Sequence, residues 1–173
     1  MTAKTKYTTA FKTYVLPLLE YNSSIWTPYH TTLIKQIESP QRSYTKKVCR
    51  RLNIKFNNYS DRLEIMKIES LEYRRLKFGL ILLYKILNKL IEVDFDTHFT
   101  ISQINNTYNL RRNSLHIQKP SISRTEIRLN FFSQKIVESW NKLPDNIVTA
   151  PSLNILKFRL DKLDLKELHN FLF

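Results

Sequence analysis

Positively charged side chains are grouped in two stretches of this chain, and phosphate binding is the chemistry that such grouping favours. No acidic residue occurs between Glu38 and Asp61, and none occurs in the window 97–125. The residues we assign to phosphate contact are Lys35, Arg42, Lys46, Lys47, Arg50 and Arg51 in and beside the first window, and Arg111, Arg112 and Lys119 in the second. Clustered cations without acids between them attract a phosphate backbone. We therefore predict an RNA- or DNA-binding surface.

The total charge agrees with that prediction and also has a plainer explanation. The 173-residue chain carries a formal net charge of +13, and a field of that size attracts polyanions. The chain is also rich in Lys, Asn, Ile, Tyr and Phe, which an AT-rich genome over-encodes, so some of the charge can be compositional drift on a solvated face. The acid-free windows favour the binding hypothesis over drift.

Catalytic and metal-binding patterns are scarce. Two-metal nucleotidyl transfer needs closely placed carboxylates, and the nearest pattern is Asp94 and Asp96, a spacing more typical of surface charge or a helix cap. The single glycine, Gly79, excludes a glycine-rich phosphate loop, and the lone Cys49 excludes an internal disulfide. The four histidines show no metal-ligand spacing. We expect no catalytic residue, metal, cofactor or small-molecule substrate in this chain.

A helix must position the first basic group. At about 100° per residue, one helix face collects apolar side chains and nearly the opposite face collects cations. The inward set is Leu33, Ile37, Tyr44 and Val48, and the outward set is Lys35, Arg42, Lys46 and Arg50, with Lys47 and Arg51 on the flank. Because proline disfavours a helix interior, an alternative is that a separate helix starts here, with Ser39 as its N-cap and Pro40 as its first residue.

The remaining pattern predicts a mostly α fold, a compact multi-helix domain with one small β element around residues 115–130. We treat residues 1–173 as one domain, in which residues 1–92 are helical, residues 93–130 are loop-rich and basic, and residues 131–173 form C-terminal helices. Ser60, Ser70 and Ser152 are expected helix N-caps. The expected apolar faces are Phe11, Tyr14, Val15, Leu18 and Leu19 in the first helix, Phe132, Ile136, Trp140 and Leu143 near residue 140, and Leu153, Leu156, Leu160 and Leu163 in the last. The alternations Leu115, Ile117 and Ile127, Leu129 are the candidate strands.

Several short blocks, taken in order, resemble one protein family. The blocks read PLLEYNSSIW at 17–26, IESPQRSYTK at 37–46, RL followed by SLEYRR and YKI within 62–86, WNKLP at 140–144 and APSLNILKFRLD at 150–161. They resemble the segment after the polymerase core in jockey-like non-LTR retrotransposon reverse transcriptases, over roughly residues 11–161. Two positions depart from the family pattern: Pro40 and Leu156 stand where it has an aliphatic residue and a Phe.

The resemblance implies a piece of an RNA-directed DNA polymerase of a transposable element. The expected function is that of a non-catalytic C-terminal segment, here a truncated copy or a piece of a longer product, that binds template RNA or target DNA. The polymerase core of the same or a related element is the implied protein partner. A stand-alone nucleic-acid-binding protein derived from a retroelement and a helical interaction or scaffold module remain alternatives.

No membrane partner is expected, because the longest apolar run, 78–84, is shorter than the roughly 18 residues of a span. With no signal-like apolar segment at the start of the chain, we expect an intracellular location, in the nucleus or the cytoplasm or both. Binding to a membrane surface is a more distant alternative, since the fold should bury the aliphatic side of the basic helix.

Overall fold

The computed structural model describes residues 2–24, 26–92, 99–101, 114–118, 132–163, 165 and 171. In chain order its helices are α1 (Ala3–Ala10), a π-helical segment (Phe11–Val15), α2 (Leu16–Glu20), α3 (Thr31–Arg51), α4 (Tyr59–Met66), α5 (Leu71–Leu87), α6 (Phe132–Asn141), α7 (Asp145–Val148) and α8 (Leu153–Lys162). Two short strands, β1 (Thr100–Ile101) and β2 (Ile117–Gln118), pair antiparallel, with Ile101 opposite Ile117. The prediction of a mostly α fold is confirmed.

The chain divides into two compact units. The first comprises Met1–Arg75 with Phe171–Phe173, and the second comprises Leu76–Asn170, so the boundary falls within α5. The single domain with divisions after residues 92 and 130 stays a prediction. The first unit contains α1 to α4 and the start of α5, and it therefore carries the first basic group.

The N-terminal helix buries only part of the face expected from its apolar spacing, since Phe11 is buried and Val15 and Leu19 are half-buried against the core. Tyr14 and Leu18 are 74% and 76% exposed, whereas Phe11 and Leu16 are buried. A π-helical turn occupies Phe11–Val15, immediately before Pro17 in α2. A π turn adds a residue to the helical repeat and so rotates the residues that follow it. The apolar residues expected on one face therefore do not all point the same way.

Helix α3 is one continuous helix, so the alternative of a separate helix that starts at Ser39 and Pro40 is wrong. Pro40 lies in its interior, where proline ordinarily costs about 3 kcal/mol. The side chains of Glu38 and Gln41, which flank Pro40, are buried and hydrogen-bonded to other segments of the first unit. We attribute the continuity of α3 to these tertiary bonds.

Polar side chains and left-handed residues set the ends of several helices. Asn58, not the expected Ser60, caps α4, because its side-chain oxygen accepts from the backbone N–H of Asp61 at 2.9 Å. Ser70 caps α5 as expected, accepting from the N–H of Tyr73 at 3.3 Å. Asn53, just after α3, has a φ of 51°, in the left-handed region that Asn tolerates well.

The core of the first unit lies between the N-terminal helix, α3 and α4. Phe11 stacks on Tyr44 with ring centroids 4.6 Å apart, and the Tyr44 hydroxyl donates to the Tyr7 carbonyl oxygen at 2.8 Å. Buried members of this core are Phe11, Leu16, Val48, Cys49, Tyr59, Leu63, Met66, Ile68 and Leu71. This packing fixes which side of α3 can face solvent.

The second unit is built around α6 and the later turns of α5. Trp140 is fully buried, as its place on the α6 apolar face predicted, and its indole N–H donates to the Leu115 carbonyl oxygen at 3.0 Å. Asn141 makes two bonds to the backbone of Ile117, accepting its N–H at 2.9 Å and donating to its carbonyl oxygen at 2.8 Å. These bonds hold β2 against α6 and agree with the small β element expected near residue 115. The second candidate strand, Ile127 and Leu129, lies outside the described residues.

The last helix follows its sequence pattern closely. The Ser152 hydroxyl accepts from the N–H of Ile155, which makes Ser152 the N-cap of α8 as expected. Leu156 and Leu160 are fully buried, while Leu153 and Leu163 at the ends of the face are half-buried. Among the residues that the structure describes, no helix has both the length and the apolar character needed to cross a membrane.

Candidate nucleic-acid interface

One side of α3 presents only positive charge to solvent. The exposed cations, which we call the basic face of α3, are Lys35, Lys46, Lys47, Arg50 and Arg51. Glu38 is the only acidic residue in the α3 sequence, and it is 1% exposed. A helix with clustered exposed cations and a buried acid can follow a phosphate backbone without repelling it.

The buried side of α3 is turned away from the side expected from its apolar residues. Leu33, expected to be buried, is 44% exposed, whereas Glu38, Gln41 and Thr45 are all buried. The prediction that Arg42 lies among the outward cations is wrong as well. Arg42 is half-buried, with its guanidinium carbon 4.9 Å from the centre of the Tyr59 ring.

A buried carboxylate explains this rotation. Glu38 accepts a 2.5 Å hydrogen bond from the Tyr59 hydroxyl, and its other oxygen accepts from the backbone N–H of Leu71 at 3.0 Å. Gln41 donates to the Tyr59 hydroxyl oxygen at 3.1 Å and to the Glu69 carbonyl oxygen at 2.9 Å. Burial raises the pKa of Glu38, and the hydrogen bonds from Tyr59 and Leu71 oppose that rise. The pKa of Tyr59 is also raised, by burial and by the Glu38 carboxylate.

Two arginines near the start of α5 are engaged by the first unit itself. Arg74 forms an ion pair with Glu20 and a second one, at 3.3 Å, with Glu69. Arg75 is 5% exposed and donates to the carbonyl oxygens of Trp26 at 3.0 Å and Leu19 at 2.9 Å. Its guanidinium also lies over the Trp26 ring, 4.3 Å from the centroid. Burial lowers the pKa of Arg75, although nearby carboxylates oppose the change.

These contacts connect three of the short sequence blocks within the first unit. Glu20 and Trp26 come from the first block, Glu38 from the second, and Arg74 and Arg75 from the third. Arg74 pairs with Glu20, and Arg75 donates to the Trp26 carbonyl oxygen. Glu38 accepts from the backbone N–H of Leu71 at the start of α5. Their charges are therefore used to build the unit, and the basic face of α3 is left free of these architectural contacts.

The second predicted group of cations lies beyond the described structure. Arg111, Arg112 and Lys119 lie outside the described residues, as do Asp94 and Asp96. Among the residues that are described, no cluster of three or more His, Cys, Asp or Glu side chains could hold a metal ion. Cys49 is buried, and burial raises the pKa of its thiol.

Sequence reasoning missed the buried polar side of α3. Glu38, Gln41 and Thr45 follow i, i+3 and i+7 spacing, a row that is usually assigned to solvent when its residues are polar. The signal available in the sequence was that Val48 and Cys49, both apolar, border this row. An inward face of α3 centred on Val48 and Cys49 would have placed Leu33 at the edge of that face.

Fold and interface together define a mostly α protein with a basic helical surface. No protein-family model matches this chain, and no solved structure matches it. Over 70 residues it is 33% identical to a Caenorhabditis elegans protein, uncharacterized protein B0403.1. The similar segment covers 40% of this chain and 35% of the nematode protein, so the chain matches about a third of that protein's length.

Proposed function

We propose that this chain is a non-catalytic nucleic-acid-binding segment of a retroelement RNA-directed DNA polymerase. In this role the basic face of α3 holds template RNA or target DNA near an active site supplied elsewhere. The observation that carries the proposal is the burial of Glu38, which leaves α3 with cations alone on its exposed side. Contact with phosphates gives affinity with little sequence preference.

The polymerase context comes from the ordered sequence blocks. It includes an intracellular location, in the nucleus or the cytoplasm or both, and the polymerase core of the same or a related element as protein partner. The architectural use of Glu20, Glu38, Arg74 and Arg75 supports treating the first three blocks as pieces of one folding unit. A stand-alone binding protein derived from such an element would use the same surface. A helical scaffold module would not need the basic face of α3.

Charge reversal on the basic face tests the binding function. In the variant Lys46→Glu, Lys47→Glu, Arg50→Glu, three exposed cations of one helix side become acids. The unaltered chain should bind a single-stranded RNA with a log–log salt slope of about −3 to −4, as expected for about 4–6 neutralised phosphates. The variant should lose most of that affinity and show a clearly flatter slope, measured by fluorescence anisotropy of a labelled oligonucleotide.

The matched control changes the net charge equally in the other unit. Lys142→Glu, Lys157→Glu, Lys162→Glu replaces three exposed lysines on or beside α6 and α8. Both triple variants should keep a melting temperature close to that of the unaltered protein, because exposed charges contribute little to folding. Equal losses of affinity from the two triples would show that only total charge matters and would reject the basic face as the site.

A further inference from the structure

Two tyrosines and a leucine form a row on the solvent side of the N-terminal helix. Tyr14 in the π-helical segment, Leu18 in α2 and Tyr21 just after α2 are 74%, 76% and 75% exposed. Residues three or four positions apart are neighbours on a helix surface, so these exposed side chains follow one another along it. Tyr14 and Tyr21 are separated by about 10 Å along the helix axis. We call the three residues the tyrosine row.

The packing of the first unit holds this row outward. Leu16 lies between Tyr14 and Leu18 in the chain and is buried. Because two positions along a helix correspond to nearly opposite sides, the burial of Leu16 turns its neighbours in the row toward solvent. At the other end, the Trp26 indole N–H donates to the Tyr21 carbonyl oxygen at 3.0 Å. The exposed rings are therefore presented from a fixed backbone, which lowers the entropy cost of binding a ligand.

The two rings are available for stacking. Among the described residues, no other aromatic ring and no cation lies over Tyr14 or Tyr21, and neither hydroxyl group makes a hydrogen bond. The ring of Trp26, by contrast, is covered by the guanidinium group of Arg75. An exposed aromatic ring without a partner in its own protein can stack on the ring of a ligand.

The charge around the tyrosine row suits a polyanion. No acidic residue occurs among residues 1–19, and the side chain of Glu20, held in an ion pair, is 13% exposed. Lys6 and Lys12 are exposed on the same helical stretch. Near its start, Arg51 of the basic face of α3 lies over the ring of Tyr7, 5.9 Å from the centroid. The helical stretch that carries the row therefore contacts the basic face of α3 at one end.

The size of the row suits nucleic-acid bases better than a protein surface. A large aromatic side chain buries about 150–250 Å², so three side chains of about that size, three-quarters exposed, offer roughly 500 Å². A stable protein interface buries about 800 Å² on each partner. A base needs only one ring face, and proteins that bind single strands combine such rings with positive charge.

We propose that the tyrosine row is a base-stacking face for an unpaired nucleic-acid strand, in which Tyr14 and Tyr21 each stack on one base. The proposal rests on the proposed function and names its substrate class, a single strand with accessible bases. Bases inside a duplex are already stacked on one another and do not reach side chains in this way. Stacking accepts any base, so the row adds affinity without sequence preference.

Removal of the two rings tests the row. The double variant Tyr14→Leu, Tyr21→Leu keeps the net charge and apolar side chains but no ring. It should bind a single-stranded RNA at least about tenfold more weakly, with an unchanged log–log salt slope because no charge is altered. The double variant Tyr14→Phe, Tyr21→Phe keeps both rings and should bind within about twofold of the unaltered protein. Fluorescence anisotropy of a labelled oligonucleotide measures each affinity.

Two controls separate stacking from a disturbed fold. Phe158→Leu replaces an exposed ring of the other unit and should leave the affinity unchanged. All variants should keep a melting temperature close to that of the unaltered protein, since the altered side chains are exposed. Binding of a duplex RNA should be the same for the unaltered protein and for Tyr14→Leu, Tyr21→Leu. An equal loss for duplex and single strand would contradict a stacking role.

A strand without bases provides a readout on the ligand side. A single-stranded DNA and the same strand with abasic sugars carry the same phosphates. The unaltered protein should bind the abasic strand at least about tenfold more weakly, whereas Tyr14→Leu, Tyr21→Leu should bind the two strands about equally. If the unaltered protein and this variant show the same preference for bases, the inference is wrong.

The remaining outcomes distinguish this inference from the proposed function. If RNA binding depends on salt and on the basic face of α3 but not on the two rings, only the inference fails. If the unaltered protein binds neither the normal nor the abasic strand, the proposed function fails with it. If the Leu variant keeps its RNA affinity and instead loses a dimer detected by analytical ultracentrifugation, the row binds a second copy of the chain and the inference is wrong.

Discussion

Replacing Glu38 by Ala should destabilise the first unit by about 3–5 kcal/mol. The substitution removes the acceptor for the Tyr59 hydroxyl and for the Leu71 N–H, and a buried donor without an acceptor costs about 1–3 kcal/mol. It also removes a neighbour of Gln41, whose amide lies 3.4 Å from the Glu38 carboxylate. Chemical denaturation followed by circular dichroism would measure the loss.

A conservative change and an exposed carboxylate serve as controls for Glu38. Glu38→Gln keeps an oxygen that can accept one of the two bonds, and we expect it to cost less than Glu38→Ala. Glu64→Gln alters an exposed acid of α4 and should change the free energy of unfolding by no more than about 0.5 kcal/mol. If Glu38→Ala were as stable as Glu64→Gln, the buried network would not support α3 across Pro40.

Trp140→Ala should destabilise the second unit by about 3–5 kcal/mol. The indole ring is fully buried, so its removal leaves a cavity and also strands the Leu115 carbonyl oxygen that accepts its N–H. Thermal and denaturant unfolding would give the change in stability. RNA binding measured below the melting temperature should stay unchanged, because the ring cannot stack on a base.

An exposed aromatic in the same unit is the control for Trp140. Phe158 is 58% exposed and contacts Lys162, whose Nζ lies 4.2 Å from the ring centroid. Phe158→Ala should cost less than about 1 kcal/mol. A folded Trp140→Ala protein with an unchanged melting temperature and weaker RNA binding would overturn the assignment of Trp140 to the core.

The sequence predicted the elements whose signals are local. Trp140 and Leu156 lie on apolar faces of helical period, and Ser70 and Ser152 precede such faces as N-caps, so their roles followed from spacing and capping chemistry. The helical class of the fold followed from the same local rules. These predictions succeeded because they depend on interactions between residues three or four positions apart in the chain.

The failures occur where the helical repeat itself changes or where residues distant in the chain decide which side of a helix is buried. The π-helical turn at Phe11–Val15 breaks the helical repeat on which the spacing argument depends, and Tyr14 is consequently exposed. The buried side of α3 is set by bonds from Glu38 to Tyr59 and Leu71, which are 21 and 33 residues away in the chain. Periodicity carries no information on such partners, so it misplaced Leu33 and Arg42. The phosphate contact assigned to the cations in the window 97–125 remains a prediction.

The basic face of α3 is tested most directly by comparing lysine reactivity with and without RNA. Mass spectrometry would follow acylation of individual lysines in the intact protein as single-stranded RNA is added at low salt. Lys35, Lys46 and Lys47 are exposed on α3, and we expect RNA to slow their acylation several-fold, while Lys142 and Lys157 keep their rates. Equal protection of all five lysines, or protection confined to Lys142 and Lys157, would contradict binding through α3.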